Sequence, residues 1–200
     1  MAEEWKLVED KDGVTVYESK WEGYSENQYK GVSVIEQPIE VIAAVLSDIT
    51  SYPEWFHRCT EARKLKDNEA SVLDFLLYIV IDVPWPFDDR HGIFHAQTTV
   101  DPVLEKIVIN SAARAEADVL PHEDCVRITN STQQWILEKL APQTTRITFI
   151  NQTGSSGSMS AFITDLGSQA TVYQSLINMR SVAGRPRYEK LGAELKDRFN

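Results

Sequence analysis

The chain has 200 residues, of which 42% are hydrophobic and 25% charged, with a mass of 22.7 kDa. That is the composition of a folded globular domain, and it excludes a fibre or a disordered tail. A formal net charge of −10 argues against nucleic acid as a partner, because phosphate contacts need clustered Lys and Arg.

A chain of this length buries roughly 70% of its unfolded surface in one core. It has no internal repeat and no low-complexity linker, so a single domain is expected over residues 1–200. No apolar run reaches the roughly 18–20 residues of a membrane-spanning helix. The start, MAEEWKL, has neither the basic nor the apolar region of a signal peptide. A soluble protein is therefore expected. A start left by signal-peptide removal would read the same, so cytoplasm and periplasm both stay open. Cys59 and Cys125 match no CxxC or zinc-ligand spacing and are expected as unpaired buried thiols.

In chain order, WKLVEDKDGVTVYESKW places an Asp-Gly turn between two strand-like runs, the short-range sign of a β-hairpin. YKGVSVIE alternates like a strand. PIEVIAAVLSD then sets Ile39, Ile42, Ala43 and Leu46 at helical spacing, predicting a short helix that starts at Pro38. Tyr52 and Pro53 mark a turn, followed by a strand that ends near the polar KDN at 66–68. SVLDFLLYIVIDV, HGIFHAQTTVD, LEKIVINSAARA, CVRITNSTQQWILEKL and TRITFINQTG read as five further strands. Their short connections favour antiparallel pairing.

Between the first two of these five lies VPWPFDDRH, residues 83–91. Pro84 and Pro86 have no N–H to give a ladder, so the strand must end there. GSSGS at 154–158 is a flexible loop. Beyond it Phe162, Leu166, Ala170, Tyr173, Ile177 and Arg180 recur at steps of three and four, predicting a long amphipathic helix over 160–183. Pro186 separates it from a final helix, RYEKLGAELKDRF. The expected fold class is α+β, with the long helix burying its stripe against the concave face of an antiparallel sheet.

The catalytic and cofactor signatures are missing from the sequence. His91 and His95 lie about 13 Å apart if they sit on a strand, too far to share a metal ion. Asp88 and Asp89 read as turn caps. GSSGS lacks the GxSxG order of a hydrolase, and neither GxGxxG nor GxxxxGK[ST] occurs. No catalytic residue, metal or cofactor is assigned. Arg90 follows the turn directly, and its simplest role is a surface ion pair with Asp88 or Asp89, worth about 0–1 kcal/mol. The other is a partly buried cation at the mouth of a cavity.

PWP followed by an acidic pair and Arg90, then VRI at 126–128, Trp135 within a strand and AFITDL…YQSLINMR resemble the START (StAR-related) lipid-transfer domains, in particular their bacterial branch. The similarity runs from WKLVEDKDGVTVYES to RPRYEKL. It implies a helix-grip fold, a curved antiparallel sheet wrapped around a long C-terminal helix, with a hydrophobic cavity for one lipid-like molecule. In such domains the PWP turn joins two adjacent strands beside the cavity. Two departures stand out. The strand that begins at Arg90 offers His95, Ala96 and Gln97, and the strand before it is apolar at Leu76 and Leu77, unlike the acid–base pair of sterol-binding members. SGSMSAF also stands where bacterial relatives often have Gly-Gly-x-x-Pro.

The resemblance implies binding, and transfer, of a lipid or other hydrophobic small molecule without covalent chemistry. Brief contact with a membrane is part of that picture. Apolar contacts are expected from Tyr78, Val80, Trp85, Phe87, Phe94, Phe162, Leu166, Tyr173 and Ile177, and polar ones from Arg90, Asn130, Gln134 and Thr153. The alternative is an aromatase or cyclase acting on a hydrophobic substrate in the same cavity, with His95 or Asp82 as general acid or base.

Overall fold

The Asp-Gly turn forms the hairpin the sequence predicts. Asp12 and Gly13 both have positive φ, 53° and 74°, which suits the tight turn between β1 (Lys6–Lys11) and β2 (Val14–Lys20). The computed structural model describes residues 4–67, 74–114 and 124–199. Residues 71–73 of the expected SVLDFLLYIVIDV strand, Asn68 and Ala115 lie outside them.

β3 (Asn27–Ile35) pairs with β2 and leads into α1 (Ile39–Ser47). A 3₁₀ turn over Ile49–Glu54 then carries the chain to β4 (Cys59–Asp67) at the far edge of the sheet. β5 (Asp74–Ile81), β6 (Asp89–Asp101) and β7 (Lys106–Ala113) return as a meander. The expected CVRITNSTQQWILEKL strand is two: β8 (Cys125–Arg127), parallel to β6, and β9 (Ser131–Ala141). β10 (Thr144–Thr153) closes between β9 and β3. The order is β1-β2-β3-β10-β9-β7-β6-β5-β4, with β8 beside β6 and every other pair antiparallel. α2 (Ala161–Ala183) and α3 (Pro186–Phe199) follow.

Alternation decides what each strand gives to the core. Along β10, Thr145, Ile147, Phe149 and Asn151 are buried, while Arg146 is exposed. Trp135 of β9 stacks on its cross-strand partner Phe149, ring centroids 3.8 Å apart, and Trp55 meets Trp135 edge-on. α1 is buried almost all round, where one apolar face was expected, because it packs against β9, β10, α2 and α3.

The long helix departs from its expected stripe. Its buried positions are Thr164, Ser168, Val172, Ser175, Leu176, Met179, Val182 and Ala183, whereas Phe162 and Leu166 are exposed and Tyr173 and Ile177 half-buried. Contact with the sheet selects the face, and β3 presents Gly31 at the crossing. A Cβ there would lie 2.5 Å from Val172 Cγ1 and 2.7 Å from Leu176 Cδ1, so only glycine admits so close an approach.

Of the two thiols, Cys59 is buried, which pushes its pKa up to about 12, and Cys125 is only half-buried; both are free. Among the described residues no helix is long and apolar enough to cross a membrane.

Candidate functional site

Between the sheet and the first half of α2 lies a cavity of about 420 Å³. Its sheet wall is built from alternate residues: Ile79 and Ile81 of β5, Arg90 and Phe94 of β6, Ser131 and Gln133 of β9, and Asn151 and Thr153 of β10. Ile163, Thr164, Gly167, Ser168 and Thr171 of α2 cover it. Phe56, after the 3₁₀ turn, supplies an aromatic wall next to Phe149.

The VPWPFDDRH turn forms the cavity's rim. β5 stops at Ile81, Phe87 N–H donates to the Pro84 carbonyl, and Asp89 Oδ1 accepts the Val83 N–H at 3.0 Å. Asp89 thus caps the turn. Trp85 lines the cavity yet is 92% exposed, and Leu166 lines it at 51%, so the two mark where it opens to solvent. Phe162 stands four residues before Leu166, hence on the same face of α2, and is 69% exposed.

Arg90 is 4% exposed. Its guanidinium donates to the backbone carbonyls of Asp88 and Ser156, the latter at 3.0 Å. The surface ion pair expected with Asp88 or Asp89 is absent: Asp88 is met through its carbonyl, and the Asp89 carboxylate is committed to the turn. Nearby, the Ser131 and Thr153 hydroxyls pair at 2.9 Å, and Thr153 also donates to Asn151 Oδ1. The remaining titratable groups in the wall are Arg58, which is ion-paired with Asp82, and His57, whose pKa burial and then the Arg58 charge lower.

The start of α2 is tied down by a carboxylate clamp. Glu26, between β2 and β3, accepts the Ser155 N–H at 2.8 Å and the Ser155 hydroxyl, which also pairs with Thr164. Burial pushes the Glu26 pKa up, but these bonds and one from Ser25 outweigh it and hold the carboxyl below its ordinary range. One helical residue further on, Asp165 accepts both the backbone and the side-chain N–H of Asn27.

Six of the expected contact residues meet in this wall: Trp85, Phe87, Arg90, Phe94, Thr153 and Leu166. Seven do not. Tyr78 and Val80 face the other side of β5 and are buried with Ile93 in a separate cluster. Gln134 lies on the outer face of β9 and donates to Asn110. Asn130 is exposed beside Gly154, to which its carbonyl is bonded. Phe162 stands beside the opening without lining the cavity, Tyr173 donates to Asp12, and Ile177 packs against the core.

The missed wall residues Ile79, Ile81 and Gln133 are each one position from a residue that was named. Strand alternation identifies the two faces but not which is concave. Of the candidate acid–base groups, His95 lies on the outer face, its Nδ1 accepting from Arg114 and its Nε2 bonded to Asp74. Asp82 stays at the rim, half exposed in its pair with Arg58.

No family model matches the sequence. The chain is 29% identical over 184 residues to Uncharacterized protein PA1579 of Pseudomonas aeruginosa, covering 92% of this chain and 88% of that protein. Among solved structures it is similar to the STAR-related lipid transfer protein of Xanthomonas axonopodis, with a TM-score of 0.81 and 20% identity over 90% of this chain and 99% of that one. Human STARD10 gives a TM-score of 0.81 and 19% identity, over 93% of this chain and 76% of that one. Human StAR-related lipid transfer protein 5 gives 0.74 and 14%, over 88% and 85%. The curved antiparallel sheet, the cavity and the long C-terminal helix are thus those of the START lipid-transfer fold, and this chain has that fold.

Proposed function

We propose that the protein, as a single domain, binds one lipid or comparable hydrophobic molecule in the cavity under α2 and carries it without covalent chemistry. The observation that carries this reading is the apolar wall itself: about 420 Å³ enclosed by Phe56, Ile79, Phe94, Ile128 and Ile163, within the roughly 300–1,000 Å³ of small-molecule sites. Burying an acyl chain there is favoured by about 0.8 kcal/mol per methylene. Ten methylenes give roughly 8 kcal/mol before the cost of immobilising the ligand. Solved proteins of this fold that are named for lipid transfer point the same way.

Loading needs an opening. Trp85, Leu166 and Phe162 put large apolar side chains around one, and these are groups that favour the interfacial layer of a bilayer. The rim therefore meets a membrane briefly as ligand passes.

Native mass spectrometry of protein purified from its host without detergent tests the reading. A dominant bound apolar molecule, or its uptake from a lipid extract, is the expected result. Only the bare 22.7 kDa species before and after exposure to the extract would overturn it. The membrane step is checked by vesicle flotation, in which Phe162→Ala, outside the cavity lining, is expected to lose vesicle association while still binding ligand from solution.

A further inference from the structure

Arg90 is a buried cation on the wall of the proposed ligand site. A guanidinium offers five N–H donors. Two of its nitrogens are spent on the Asp88 and Ser156 carbonyls, while the buried Nε has no acceptor among the described residues. No described carboxylate forms an ion pair with it, although the other arginine of the wall, Arg58, has Asp82. Among the described residues the wall thus holds two guanidiniums, Arg58 and Arg90, against one carboxylate, Asp82. Keeping a buried charge without a counter-ion is costly, and an oxyanion on the ligand removes both deficits at once.

The surroundings suit such a group. Ser156, which holds one Arg90 nitrogen, stands three residues after Thr153, whose hydroxyl pairs with Ser131. Gly157 has a φ of +64°, and a Cβ there would crowd Val126 Cγ1 at 3.2 Å and lie 3.7 Å from Arg90 Nη2. Glycine is what lets the loop before α2 fold against the guanidinium. Charge-assisted hydrogen bonds of this kind are roughly twice as strong as neutral ones.

Resting on the carrier reading above, we propose that the cavity selects an acidic amphiphile, an apolar chain ending in an oxyanion that Arg90 receives. A carboxylate and a phosphate monoester share this chemistry. The test measures binding of dodecanoate, dodecyl phosphate and dodecanol, each below its micelle threshold, to the full chain and to Arg90→Gln and Arg90→Lys, with folding followed by thermal melting. Wild type is expected to bind at least one of the two anions about tenfold or more tighter than the alcohol. Whichever is tighter names the source, fatty acid or phosphorylated lipid.

Arg90→Gln is expected to bring the anion to the level of the alcohol and leave dodecanol unchanged, with Arg90→Lys in between. Equal binding of anions and alcohol by wild type overturns the proposal while leaving the carrier reading standing. That comparison needs no variant to fold. Equal loss of all three ligands in a folded Arg90→Gln overturns it as well. Failure of all three to bind wild type removes the carrier reading and this proposal together.

Discussion

The two halves of α2 differ in what they touch. From Val172 onward the helix is an anchor: Val172, Leu176 and Met179 are fully buried, and Gly31 lets the backbone of β3 come close. Before Val172 it is a cover. Thr164 and Ser168 are buried but polar, Phe162 and Leu166 point to solvent, and the space beneath is cavity. Its hold on the sheet comes from the Glu26 and Asp165 hydrogen bonds rather than from apolar packing. Hydrogen bonds to a carboxylate contribute about 1.5–3 kcal/mol net each, about as much as burying one Leu or Met, but the anchor buries Val172, Leu176, Met179, Val182 and Ala183 together. On the carrier reading, the covering half is therefore the part expected to open locally and admit the ligand.

The largest effect should come from breaking the anchor. Leu176→Ala is expected to cost about 3–4 kcal/mol, lowering the melting temperature by roughly 6–16 °C, as read by calorimetry. A loss under about 1 kcal/mol would mean that the second half is no better packed than the first.

Ser168→Phe acts on the cover instead. It should change stability by no more than about 1 kcal/mol, because the added ring enters open cavity, yet lower ligand uptake about tenfold. Unchanged uptake in a titration with an apolar fluorophore would put the ligand somewhere else.

Glu26→Gln sharpens the contrast between the halves. The Glu26 pKa is held below its ordinary 4.5 in the folded state, so its contribution is fully present above that value and fades as pH falls through the folded one. The variant should lose that part of the acid dependence. Hydrogen exchange should also speed up in the first two turns of α2 and stay unchanged after Val172.

The smallest effect belongs to His57. Its folded pKa lies below the ordinary 6.5, so the unfolded chain binds the proton more readily and stability falls as pH drops below 6.5. His57→Gln should flatten the stability curve in that window, and an NMR titration of the ring should give a midpoint under 6.5.

Much of this was legible in the sequence. The Asp12-Gly13 hairpin, the break at Pro84 and Pro86, α1 starting after Pro38 and the extent of α2 all rest on local chemistry: turn residues, missing donors and periodicity. The site was legible only in part. Trp85, Phe87, Arg90 and Thr153, expected as contacts from the resemblance, do line the cavity. Tyr78, Val80 and Gln134 went to the wrong face because alternation has a period of two and no sign.

The helix stripe failed for a related reason. Thr164, Ser168 and Ser175 give the buried face of α2 a polar look, while Phe162 and Leu166 are apolar toward solvent. A rule that sends apolar residues inward inverts the covering half, where the inside holds a cavity with polar groups and the outside carries the apolar rim.

The sequence by itself determined most of the elements, their order and the turn that precedes Arg90, because each depends on neighbours along the chain. Tertiary structure alone decided which strand face is concave, how α2 is rotated and that Arg90 is enclosed with no ion-pairing carboxylate among the described residues. Those depend on what the sheet's curvature brings together: Gly31 against Leu176, and Ser156 against a guanidinium 66 residues away in sequence.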